Sequence, residues 1–214
     1  MSQVLFKVLI ISLLCIVSSN AQYHPPIQNF TPDVYKAGNQ NLNISRDDNN
    51  RIYVANNFGL LEFDGLRWTL HPTPDGAIMR SVFVKNNIVF TGAYMDFGYW
   101  LRNENGTLSY TSLAETVGFQ TIEDEQFWNI FSHKQYILFQ SLNRLVIYNQ
   151  QSNTLKTYNS DYGILDAFVN DDEIYFQDNN RTLFKIENEK SLVYLSAAAL
   201  NQNQVVGLVN TLAG

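Results

Sequence analysis

The groups in this chain best suited to metal or acid–base chemistry are three histidines and a few acidic clusters, and their spacing argues against both uses. His24, His71 and His133 are far apart, with no HExxH or paired-histidine spacing, so each reads as a solvated loop residue. The acidic clusters Asp47-Asp48, Glu123-Asp124-Glu125 and Asp171-Asp172-Glu173 do not fit the calcium-loop pattern D-x-[DN]-x-[DN]-G. General acid and base work needs two carboxylates converging across a cleft, which neighbours along one chain do not supply. These clusters read as solvated turns. GxSxG elbows, Walker loops and GxGxxG fingerprints are all missing. Asn43-Ile-Ser45, Asn105-Gly-Thr107 and Asn180-Arg-Thr182 fit the glycosylation sequon and are read as turn residues. The expectation is no catalytic residue, no metal site and no cofactor.

What positions such residues follows from the rest of the chain. Its 214 residues are 45% hydrophobic and 14% aromatic, enough to bury a sizeable core. Only 16% are charged, and Asn, Gln, Ser and Thr supply much of the polar surface. The opening MSQVLFKVLIISLLCIVSSNAQ places Lys7 before an apolar stretch and small residues up to Ala21, the plan of a secretory signal peptide over 1–21. That apolar stretch is too short to span a bilayer. Cys15, the only cysteine, lies inside it, so the exported chain would hold no disulfide and no thiolate. A net charge of −6, with no Lys/Arg cluster, argues against contact with nucleic acid. No second stretch is long enough for a membrane span.

After an N-terminal arm over 22–40, one plan recurs over 41–72, 80–113, 127–160 and 165–196: strand, turn, strand, turn, strand, turn, strand. The second strands RIYVA, NIVFTG, YILFQ and EIYFQ are apolar at consecutive positions, as expected of strands covered on both faces. Asn, Asp and Gly fill the turns in phase, where hairpins demand positive φ. An insertion over about 114–125 lengthens one interval. Four-stranded antiparallel units at such a period describe the blades of a β-propeller, an all-β fold. A β-sandwich would give similar strand lengths but no reason for four turns to recur in phase. The final NQNQVVGLVNTLAG reads as the start of a fifth blade from about 204, so the propeller is expected to be incomplete.

The first unit, NISRDDNNRIYVANNFGLLEFDGLRWTLH, resembles the propeller repeat of exported sensor regions in Bacteroidetes two-component regulators. GAYMDFGYWLRNENGTLSY and EDEQFWNIF are similar to the sensor half of that group's transcriptional regulators and hybrid histidine kinases. The resemblance covers residues 25–214 and implies an N-terminal fragment. Further blades, a three-tyrosine domain, a membrane helix and a DNA-binding or kinase output would follow. It also implies a periplasmic or extracellular location and a homodimer in the full chain.

Blade geometry places the loop between strands two and three on the same rim as the loop leading into the next blade. That rim would carry Arg80, Tyr94, Asp96, Glu125, Trp128, Arg144 and Arg181, an aromatic and charged set suited to a polar ligand such as a glycan. Residues like Tyr94 and Trp128 are more often inter-blade core than ligand contacts. Trp68, Phe90, Tyr99, Trp100, Phe139, Tyr148 and Phe176 are expected to fill the wedges between blades. A sensing propeller for a small or oligosaccharide ligand is the expected function. The alternatives are a free-standing binding or adhesion module, and a glycan-active enzyme using Glu125 or Asp96.

Overall fold

The computed structural model describes Gln3 and residues 27–209. Apart from Gln3, the expected signal peptide lies outside them, as does His24. From Thr31 onward the described chain forms one unit. Within it are sixteen strands in four antiparallel sheets of four, each meandering in sequence order. The first sheet holds β1 (Asn41–Arg46), β2 (Ile52–Asn56), β3 (Gly59–Phe63) and β4 (Trp68–His71). The second holds β5 (Met79–Lys85), β6 (Ile88–Ala93), β7 (Phe97–Arg102) and β8 (Leu108–Ser112). β9 (Phe127–His133), β10 (Tyr136–Ser141), β11 (Arg144–Asn149) and β12 (Thr154–Asn159) make the third. β13 (Ile164–Asn170), β14 (Glu173–Asp178), β15 (Leu183–Glu187) and β16 (Lys190–Leu195) make the fourth. This is the all-β propeller architecture that the phased repeats imply. Residues 203–209 carry no regular element.

Turn chemistry fixes each hairpin. Asn86 and Asn87, like Asp171 and Asp172, both have positive φ, the geometry of a type I′ turn between the first two strands of a sheet. Asn50 and Lys134 occupy the left-handed region at the corresponding turns of the other two sheets.

Consecutive sheets pack face to face around shared cores. Tyr53, Ala55 and Leu60 of the first sheet meet Val82, Val89 and Trp100 of the second. The second and third share an aromatic cluster in which the Phe97 ring lies 4.7 Å from both Phe127 and Phe139. Leu138, Leu145 and Tyr158 of the third face Ile174 and Phe176 of the fourth. Of the expected wedge aromatics, Phe90, Trp100, Phe139, Tyr148 and Phe176 are buried, and Tyr99 packs partly buried against them. Trp68 stacks on Phe63 at 4.8 Å and meets buried Tyr35 of the short helix α1 (Pro32–Tyr35) edge-on.

Gly92 lets the second and third sheets approach. A Cβ there would sit 2.5 Å from both the Phe127 carbonyl oxygen and Ser81 Oγ. In the same crevice Ser81 Oγ donates to that carbonyl at 2.8 Å. Further along, Asn43 Oδ1 and Ser45 Oγ accept from the Val82 and Val84 amides, so side chains of β1 satisfy inner-edge donors of β5.

Of the groups expected to be solvated, Asp47 and His133 are buried and His71 is half-buried. Asp47 accepts from the Asn49 and Arg51 amides, closing its own turn, and from Tyr53 Oη. His71 ends β4 and contacts Glu62 through Nε2 at 3.0 Å. His133, 8% exposed, ends β9, where burial pulls its pKa down. Asp47 is covered by its own turn and by Tyr53 of β2, and His71 is covered by Glu62 of β3.

Candidate functional site

The rim is built by four equivalent irregularities. In every sheet the innermost strand slips register near the end that faces the loop between strands two and three. The slip leaves Leu42, Arg80, Trp128 and Leu165 outside the ladder. A bulge bends its strand and re-aims one side chain, and here two of the four are an arginine and a tryptophan. The Arg80 guanidinium carbon lies 4.8 Å from the centroid of the Trp128 ring, and Arg80 Nε donates to Gln126 Oε1 at 2.7 Å. Trp128 is 39% exposed and Tyr94 is 38% exposed. Both therefore face solvent at the rim rather than the inter-sheet core.

Tyr94 joins this group through backbone geometry. Its amide bonds to the Ile78 carbonyl, and the Met95 amide bonds to the Glu125 carbonyl, which zips the β6–β7 loop to residues 122–126. Tyr94 Oη then donates to Asp124 Oδ1 at 2.6 Å, and that bond raises the phenol pKa. Arg80, Trp128, Tyr94 and Asp124 thus form one exposed platform across the second and third sheets.

Glu125 and Arg144 form a closed clamp. The Glu125 side chain is fully buried and accepts from Arg144 Nε at 2.9 Å, Arg144 Nη2 at 2.6 Å, Ser141 Oγ at 2.8 Å and the Ile122 amide at 3.1 Å. Burial opposes ionisation, but these donors outweigh it and hold the carboxyl below its usual range. Arg144 also donates to the Gln120 carbonyl and stacks on Phe119, 4.4 Å from its centroid. The pair pins the insertion, whose helix α2 (Leu113–Thr116) is capped by Ser112 Oγ.

Asp96 accepts from Tyr110 Oη, Ser112 Oγ and the Phe97 amide, and burial raises its pKa against those bonds. It borders a cavity of about 390 Å³ that Asp75, Glu115 and Phe119 also line. A second rim cavity of about 280 Å³ is lined by Asn143, Arg144, Ser160 and Asp161. Arg181 stands apart in the β14–β15 loop with φ of 67°, and its Nη1 is buried with no hydrogen-bond partner.

One network was missed by sequence reading. Glu62, 6% exposed, meets His71 of its own sheet, Arg51 and, across the interface, Arg102. Burial works against the charge, but the His71 and Arg102 contacts win and lower the Glu62 pKa. Glu62 is an acid within the otherwise apolar strand β3, and only that placement could have marked it. Among the described residues, no group of three or more His, Cys, Asp or Glu could hold a metal ion.

The fold and rim define a propeller-type domain, and solved structures agree. A computationally designed protein, Ika8, matches with TM-score 0.54 at 12% identity, covering 72% of this chain and 48% of that one. The extracellular domain of a hybrid two-component system from B. thetaiotaomicron matches with TM-score 0.51 at 16% identity, covering 71% of this chain and 22% of that one. A protein from Lactobacillus plantarum matches with TM-score 0.53 at 12% identity, covering 73% and 56%. This chain therefore spans about half the designed protein and about a fifth of the Bacteroides domain. No family model and no curated protein matches the sequence.

Proposed function

We propose that this chain is the exported, ligand-sensing propeller of a transmembrane signal-transduction protein, with a glycan as ligand and the output modules outside these residues. The observation that carries the proposal is the platform made by bulge residues Arg80 and Trp128 beside Tyr94 and Asp124. An exposed indole offers a stacking face for a sugar ring, while guanidinium, phenol and carboxylate offer directional hydrogen bonds. The likeness to a Bacteroides extracellular domain and the signal-like N-terminus support export. Among the described residues no helix is long and apolar enough to cross a membrane. Transmission would need the ligand to favour one arrangement of a homodimer over another.

The catalytic alternative loses ground at its own candidates. A general acid needs a raised pKa and access, whereas Glu125 is buried, ion-paired and held low. Asp96 has a raised pKa and borders a cavity, but three donors already occupy its carboxylate.

A glycan panel screened by calorimetry tests the proposal. Saturable binding that Trp128→Ala weakens at least tenfold, with folding intact, is expected. Saturable binding that Trp128→Ala leaves unchanged would remove the platform from the function, and silence across the panel would remove the glycan.

A further inference from the structure

The wedge between the third and fourth sheets holds a cavity of about 420 Å³ on the face opposite the rim, at the end where the β11–β12 and β15–β16 turns lie. Its volume falls within the roughly 300–1,000 Å³ usual for small-molecule sites. The register explains why space is left here. Counted back equally from each bulge, Val89, Ile137 and Ile174 pair with Trp100, Tyr148 and Ile186 on the neighbouring strand. Each of the three packs toward the preceding sheet. Two interfaces thus receive an aromatic, and the third receives an isoleucine. Two residues further on, Arg102 crosses to Glu62 and plugs the first interface, while its counterpart Asn188 lines the open cavity.

The lining is divided by chemistry. Ile147, Ile174 and Ile186, with Tyr136 and Tyr158, form an apolar floor. At the mouth Lys156 Nζ meets Glu189 Oε2 at 2.8 Å. This pair is solvent-facing, with side chains 42% and 82% exposed, so its exchange for other charges costs little. One cation and one anion above an apolar floor match a molecule that carries both charges on an apolar body.

We propose that this wedge binds a free α-amino acid with an apolar side chain. Its carboxylate would face Lys156, its ammonium Glu189, and its side chain the isoleucine floor. The site is separate from the rim platform and does not depend on it.

Titration of the folded chain with L-leucine and L-phenylalanine, by calorimetry and by NMR of the protein, tests this. Saturable binding is expected, at least tenfold weaker for isovalerate and for isoamylamine, which each keep one charge. Lys156→Met, a change at an exposed side chain, should weaken binding at least tenfold without altering the melting temperature. Ile186→Trp, which restores the aromatic of the other interfaces, should abolish it while leaving any binding at the rim intact. Absence of shifts at Tyr136 and Tyr158 with millimolar amino acid would overturn the proposal. So would equal affinity for the singly charged analogues, or a neutral sugar displaced by Ile186→Trp.

Discussion

Replacing Arg144 by alanine isolates a carboxylate that has no other cation within ion-pair distance among the described residues. Glu125 has a side chain with no solvent exposure, and Arg144 supplies two of the four donors it accepts from. Removing one partner of a buried pair costs about 3–5 kcal/mol, because the remaining charge keeps its desolvation penalty. Loss of the Phe119 stack adds to the same side. At roughly 2–4 °C per kcal/mol for a chain of this size, the melting temperature should fall by about 6–20 °C. Urea unfolding followed by tryptophan emission gives the free energy directly.

The pH dependence separates this cause from mere lost packing. In the wild type the depressed Glu125 pKa contributes stability that is present above about 4.3 and lost as the pH falls through the lower folded value. In Arg144→Ala burial dominates, the carboxyl rises above its ordinary value, and protonation relieves the penalty. The gap between the proteins should therefore be widest near neutrality, begin to shrink above about pH 4.3 as the variant's raised carboxyl takes up its proton, and go on shrinking below it as the wild-type carboxyl does. The double variant Glu125→Leu with Arg144→Met should lose less than the sum of its parts, by about 2 kcal/mol. A loss under about 1 kcal/mol, or a gap that does not change with pH, would refute the clamp.

Glu62→Gln should flatten the acid limb of the stability profile, since its depressed carboxyl contributes stability above about pH 4.3 that acid removes. Unfolding between pH 3 and 7 reads this directly. Gly92→Ala should cost about 1–3 kcal/mol by denaturant unfolding, because its Cβ would fall within 2.5 Å of a backbone carbonyl. Every residue of β16 is exposed, including Leu192, Val193 and Tyr194, so the described chain should self-associate. Val193→Lys should lower its sedimentation weight, and an unchanged weight would remove this edge as the cause.

The repeat was legible because it is written in local chemistry. Asn86-Asn87 and Asp171-Asp172 announce tight turns, and consecutive apolar residues in β6, β10 and β14 announce strands covered on both faces. The bulges were not legible, since a slipped register depends on how two strands pair and leaves no residue pattern of its own. Blade geometry puts Arg80 and Trp128 on the rim as ends of inter-blade loops, and only the fold shows that bulges in β5 and β9 bring them together. Glu125 and Arg144 were nominated together without any sign that they bind each other. Glu62 and the wedge beneath Ile186 went unseen, because both arise between sheets.

Tryptophan emission during titration with the glycan selected from the panel, compared between wild type and Arg80→Ala, tests the central claim most directly. A saturable change in Trp128 emission, shifted at least tenfold to higher ligand concentration by Arg80→Ala, is the predicted result. A titration curve that Arg80→Ala leaves unmoved would contradict the assignment of the rim platform as the sensing site.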